Sequence, residues 1–87
     1  MKSQLTDDFI TRFQTLPEDV RRQARKNYQV WKQNPYHPSL HFKRVHTREP
    51  LYSVRIVIGW RALDLLEDDL ITWFWIGSHA DYDALIK

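Results

Sequence analysis

The chain predicts an α+β domain: an N-terminal α-hairpin packed on a four-stranded, mainly antiparallel sheet, with a short C-terminal helix. Apolar residues recur at helical spacing as far as Trp31 and then alternate with polar residues from Ser39 onward. Gly and Pro fall between the runs. Helices first and strands afterwards give the α+β class, with the helices expected on one face of the sheet. The 87 residues are read as a single domain, 1–87, near the lower size for one sound core. Four Trp, four Tyr and four Phe supply much of the area such a core must bury.

Leu5, Phe9, Phe13 and Leu16 form the first helical stripe, with Asp7 and Asp8 near its start, where the helix dipole favours anions. Pro17 opens a second helix at a position where a missing N–H costs little, and Val20, Ala24, Tyr28 and Trp31 mark its buried side. Asn34-Pro35 ends it. Leu40–Val45 reads as the first strand, Thr47–Pro50 as a turn, and Leu51–Ile58 as a strong strand rich in β-branched residues. Gly59 permits a tight reversal into a weaker strand, Trp60–Leu65. Glu67-Asp68-Asp69 is a polar turn, and Leu70–Ile76 is apolar enough to be covered on both faces. By simple alternation Trp73 and Trp75 share one of those faces and Phe74 takes the other. Asp81–Ile86 can form the terminal helix.

There is no cysteine, which excludes disulfides and zinc–thiolate sites and suits a reducing compartment. No apolar run approaches a membrane-spanning length, and Met1–Asp8 contains no signal-peptide core, so a cytoplasmic protein without a membrane partner is expected. The net charge of +2 conceals an asymmetry. Residues 1–61 hold twelve Lys/Arg against five Asp/Glu, and residues 62–87 hold one Lys against six acids. A basic section of this kind is either a solvated surface or the seat of an anionic partner such as nucleic acid.

The placement of the cations favours the partner. Lys43, Arg55 and Arg61 fall in or beside strand-like runs, and His79 and Tyr82 follow the last run. Arg55 shares a strand face with Ser53, while Tyr52, Val54 and Ile56 take the other. A guanidinium fixed on a sheet binds phosphate with little loss of side-chain freedom, and its planar fork suits phosphate geometry. RNA can be cut by its own 2′-hydroxyl if a base takes the proton and cations hold the phosphorane charge. That chemistry assigns Arg55 and Arg61 to the phosphate, His79 to acid–base work and Tyr82 to substrate orientation or proton transfer. Lys43 and Arg44 on the first strand, and Arg21, Arg22, Arg25 and Lys26 on the second helix, are candidates for further RNA contacts.

Structural readings stand beside these. Arg55 can pair with Asp81 or Asp83, Arg61 can end a turn, His79 can cap the terminal helix, and Tyr82 can simply pack its ring. His37, His41 and His46 have only Glu49 as a nearby carboxylate, so no metal site and no cofactor are expected.

The whole chain resembles the RelE/ParE superfamily of toxins from type II toxin–antitoxin systems. The likeness lies in Asn34-Pro35-Tyr36-His37-Pro38-Ser39-Leu40 with Lys43, Tyr52-Ser53-Val54-Arg55-Ile56, Gly59-Trp60-Arg61, and Ile76-Gly77-Ser78-His79 with Tyr82. The resemblance implies a RelE-like endoribonuclease that cleaves mRNA on the ribosome and inhibits translation. It also implies a cognate antitoxin, held with the toxin in a hetero-oligomer. It assigns the scissile phosphate to Arg55 and Arg61, the neighbouring RNA backbone to Lys43, and proton transfer to His79 or Tyr82. Ser53 stands where some nucleases of the superfamily carry Lys, His79 stands where some carry Arg, and the His79–Tyr82 spacing is shorter than in the best-known pattern. The ParE branch, which inhibits DNA gyrase and is not a nuclease, shares the fold, and a non-toxic binding module of the same fold is the third reading.

Overall fold

A computed structural model describes residues 2–86, and it departs from expectation at their very start. Lys2–Leu5 form a strand, β1, which makes the sheet five-stranded instead of four-stranded. β1 runs parallel to the last strand, with Lys2 opposite Leu70 and Leu5 opposite Trp73. Its sequence, Lys-Ser-Gln-Leu, has no β-branched residue, so the strand is set by distant backbone pairing and not by local propensity. Leu5 accordingly does not begin the helical stripe and is exposed.

Helix α1, Asp7–Gln14, begins one residue after Thr6, whose Oγ1 accepts the Phe9 N–H at 3.1 Å. Helix α2, Glu18–Gln33, follows Pro17 and completes the expected hairpin. Val20, Ala24 and Trp31 are its buried residues, and the Trp31 ring meets Trp73 edge-on at 5.4 Å.

The expected strand over Leu40–Val45 contracts to β2, Lys43–Arg44. Pro38–Leu40 instead make a 3₁₀ turn that buries Leu40 completely, and His41 follows in the left-handed region at φ 48°. The His37 ring accepts the Ser39 N–H, and the His46 ring accepts the Arg48 and Glu49 N–H groups, so both histidines shape turns.

The remaining strands are β3, Leu51–Val57, β4, Trp60–Glu67, and β5, Leu70–Ser78. Two-residue reversals join them, with Gly59 at φ 89° and Asp68 at φ 55°. The order is β1-β5-β4-β3-β2, antiparallel except for β1 with β5. Helix α3, His79–Ile86, starts two residues earlier than expected.

Two clusters cover the two faces. The larger holds Val20, Trp31, Leu40, Val54, Ile56, Ile71, Trp73 and Ile76, and it lies under the helical hairpin. The smaller holds Leu63, Trp75 and Tyr82, so α3 packs on the face opposite the hairpin, and the expectation of helices on one face is corrected. The two tryptophans are also divided. Leu63 pairs with Trp75 and Asp64 with Trp73, which leaves Phe74 as an extra residue in β5. This bulge resets the alternation, so Trp73 joins the hairpin core while Phe74 and Trp75 join the other cluster.

Asp64 is fully buried opposite Tyr52 and Trp73, and neither carboxylate oxygen has a hydrogen-bond partner. Burial pushes its pKa up to about 8. Perturbed carboxyls often mark functional sites, but Asp64 shares a face with Trp73, away from Arg55 and Arg61.

Candidate active site

A bulge at Ile56, next to the two-residue turn at Ile58-Gly59, sets the registry of the site. It places Arg55 of β3 directly opposite Arg61 of β4, on the same face as Ser53 and Leu63. Like charges directly opposite each other destabilise a sheet, and among the described residues neither guanidinium has a carboxylate within ion-pair distance. Arg55 therefore does not pair with Asp81 or Asp83. The pair is an unneutralised dicationic patch, suited to an anion.

Two contacts hold Arg61. Its Nη1 donates to the buried Ser53 Oγ at 3.4 Å, its Cζ lies 5.4 Å from the centre of the Tyr82 ring, and its Nε is buried without a partner. The Tyr82 face attracts the cation and braces it. Arg55 Nη1 lies 3.4 Å from His41 Nε2. Arg55, Arg61 and His79 line one cleft, together with Val57, Trp60 and the Ile58-Gly59 turn.

His79 is the first residue of α3 and is tied to the same turn, since its N–H donates to the Gly59 carbonyl at 2.6 Å. Ser78, not His79, caps the helix, its Oγ accepting the Asp81 N–H at 3.1 Å. One turn along, Asp83 Oδ2 stands 3.1 Å from His79 Nδ1. With Nδ1–H donating to that carboxylate, Nε2 is the nitrogen free to accept a proton. Tyr82 is only 5% exposed and packs with Leu63 and Trp75. It stands behind Arg61 instead of lining the cleft.

Gly77 stands opposite Arg61 on β5. A Cβ there would lie 2.7 Å from Trp75 Cζ2, so the absent side chain is what lets the indole cover this strand. Gly77→Ala is expected to force the ring aside and cost about 1–3 kcal/mol. Thermal unfolding followed by circular dichroism checks this; an unchanged midpoint would contradict it.

The other basic candidates separate. Lys43 stands opposite Ser53, on the face of Arg55 and Arg61, whereas Arg44 stands opposite Tyr52 on the other face and donates from Nε to the His46 carbonyl. On α2, Arg22 pairs with Glu18 at 3.7 Å and Arg25 lies over Phe13, while Arg21 has a buried Nε without a partner. Arg22 and Lys26 border a depression at Val57, beside the β3–β4 turn. Four residues near the site escaped the sequence reading: Asp83, His41, Ser53 as a partner of Arg61, and Arg12, whose Cζ lies 5.5 Å over the Trp75 ring. Asp83 alone had a sequence signal, its i,i+4 spacing from His79.

The profile of the ParE-like toxin domain family matches residues 18–84, which include both arginines, His79, Tyr82 and Asp83. The chain belongs to this family. The ParE-like domain has the RelE fold, as three solved structures show. E. coli YafQ superposes with a TM-score of 0.75 at 10% identity, over 93% of this chain and 96% of its own. The Methanococcus jannaschii RelB–RelE antitoxin–toxin complex gives 0.72 at 14%, over 95% and 98%. The isolated E. coli RelE toxin gives 0.70 at 13%, over 97% and 94%. At these identities the likeness concerns the fold. No curated protein matches the sequence.

Proposed function

We propose that this ParE-like domain is the toxin of a toxin–antitoxin pair and acts as a ribosome-dependent endoribonuclease on mRNA. The supporting observation is the cleft itself: two uncompensated guanidiniums in cross-strand register, facing an imidazole whose far nitrogen is held by a carboxylate. His79 Nε2 takes the proton from a ribose 2′-hydroxyl. The freed oxygen bonds to the adjacent phosphorus and the bond to the 5′-oxygen breaks. Arg55 and Arg61 bind the negative charge that gathers on the phosphoryl oxygens. The departing 5′-oxygen takes a proton from solvent, and Asp83 stabilises the imidazolium formed at His79. The roles of Lys43 and Tyr82 follow from position: Lys43 reaches RNA from the sheet edge, and Tyr82 fixes Arg61.

Asp83→Asn keeps the shape of the dyad and removes its charge. It is expected to slow cleavage by less than the ~10²-fold that loss of a whole acid–base group costs. Cleavage assays with ribosomes and mRNA check this; an unaltered rate would remove Asp83 from the site.

The solved RelB–RelE complex supports an antitoxin as the partner of this chain as well. An acidic and apolar segment that orders on binding would neutralise the dication. Among the described residues no helix is long and apolar enough to cross a membrane. The ribosomal target of this reading is a cytoplasmic one. The ParE-like family match favours one other reading, inhibition of DNA gyrase without nuclease activity. Expression followed by parallel measurement of mRNA 5′ ends and gyrase supercoiling separates the two. New ends within reading frames are expected; inhibited supercoiling with intact transcripts would overturn the nuclease.

A further inference from the structure

Arg55 borders two clefts. One is shared with Arg61 and His79. The other is larger, about 470 against 260 Å³, and lies between Gln23 and Asn27 of α2, Ser39 of the 3₁₀ turn, His41 just after it, and the end of β3. Val57 and Ile58 line both, so the hairpin tip divides them. A third depression, with Arg22, Lys26 and one acid, Asp19, adjoins the second at Gln23 and Val57. Val57 lines all three, and the second also shares Arg55 and Ile58 with the first and Gln23 with the third, so a strand crossing the second can join the proposed cutting site to the cations of α2.

The middle cleft has fixed walls. Asn27 Nδ2 donates to the Arg55 and Ile56 carbonyls at 3.0 and 2.6 Å, and Asn27 Oδ1 accepts from Gln23 Nε2 at 2.8 Å. These bonds lock α2 to β3. Across the cleft, His41 holds its left-handed backbone and meets Arg55. Arginine has no acceptor, so in this contact Nε2 accepts and the imidazole proton sits on Nδ1. At the lip, Ile58 is 82% exposed, an apolar side chain beside a polar hollow. An amide, an imidazole and an apolar lip suit a splayed-out nucleobase, which needs hydrogen bonds at its edge and an apolar surface at its face. Arg22 and Lys26 beyond it offer countercharge to a following phosphate.

We infer that the RNA strand runs from the Arg55–Arg61–His79 cleft across Ile58 into the Gln23–His41 cleft. The second cleft takes the nucleotide one beyond the pair that flanks the cut linkage, and the phosphate after it lies at Arg22 and Lys26. This path rests on the nuclease reading of the first cleft. The test titrates the whole protein with uncleavable 2′-O-methyl oligoribonucleotides of two and four nucleotides, followed by NMR. The longer ligand is expected to bind about tenfold tighter, to shift the amides of Gln23, Ser39 and His41, and to show the steeper salt dependence. Gln23→Ala is expected to weaken the four-nucleotide ligand threefold to tenfold more than the two-nucleotide one. Ile58→Ser, at an exposed position, gives the same comparison without disturbing Asn27. Equal affinities for both lengths, or shifts confined to the first cleft, overturn the path and leave the first cleft's reading standing. Ligands that shift neither cleft overturn the path as well, while the first cleft's reading is decided by the cleavage assay with ribosomes.

Discussion

Arg61→Ala is expected to reduce mRNA cleavage by about 10²–10³-fold while the protein remains folded. The size of the effect follows from the setting of the side chain. Its guanidinium is braced by the Tyr82 ring and the buried Ser53 hydroxyl, so it meets developing charge without reorganising. Arg61→Lys keeps the charge but loses the planar fork and the stacking on Tyr82, and it is expected to recover only part of the rate. Removing the cation also relieves its opposition to Arg55 across the strands, so the variant's melting temperature should not fall steeply. Tyr82→Phe separates the two roles considered for Tyr82. The ring remains to brace Arg61, so near-normal cleavage is expected; loss as deep as that of Arg61→Ala would return the hydroxyl to proton transfer.

The second large effect concerns stability. Asp64 has its pKa raised by burial from the model-peptide value of 3.8 to about 8. The folded protein therefore holds this proton more tightly than the unfolded chain does. Below about pH 4 both states are protonated and the site imposes no ionisation penalty. Between about pH 4 and 8 the unfolded chain ionises and the folded one does not, so stability falls as pH rises. Above about pH 8 both are ionised and the loss is complete, on the order of several kcal/mol. For a domain with a total of about 5–15 kcal/mol this is a large share. Asp64→Asn keeps a neutral group in place and is expected to remove the slope. Melting temperatures of the two proteins should converge near pH 4 and separate by ~20 °C or more at pH 8. Parallel pH profiles would show that Asp64 ionises freely in the folded state.

The parts of the molecule legible in the sequence are those with local signals. β3 and β4 alternate and the Ile58-Gly59 reversal joins them, so Arg55 and Arg61 could be placed on one sheet, whereas the bulge at Ile56 that sets them directly opposite has no local signal. The hairpin of α1 and α2 was legible for the same reason: its stripe and its Pro17 start are local. β1 was hidden because only its pairing with β5, about seventy residues along the chain, makes it a strand. β2 was overestimated because nothing in the alternation reveals that Leu40 turns into the core and His41 goes left-handed. The bulge at Phe74 was invisible because Trp-Phe-Trp has no polar residue to mark a face. That bulge places Trp75 beside Tyr82 and thus shapes the wall behind Arg61. Asp83 was missed through the helix start. With α3 begun at Asp81, His79 lay outside the helix, and its i,i+4 partner went unseen; the Ser78 cap and the Gly59 carbonyl move the start back.

The chemistry of the RNA ends tests the cleft most directly. Purified protein is incubated with ribosomes carrying mRNA, and the fragments are compared with those from mRNA bearing a single 2′-deoxy sugar at the cut position. Attack by the 2′-hydroxyl under Arg55, Arg61 and His79 predicts a 2′,3′-cyclic phosphate upstream, a 5′-hydroxyl downstream, and no cut at the deoxy position. Fragments with 5′-phosphate ends, cleavage at the deoxy sugar, or intact mRNA throughout would contradict it.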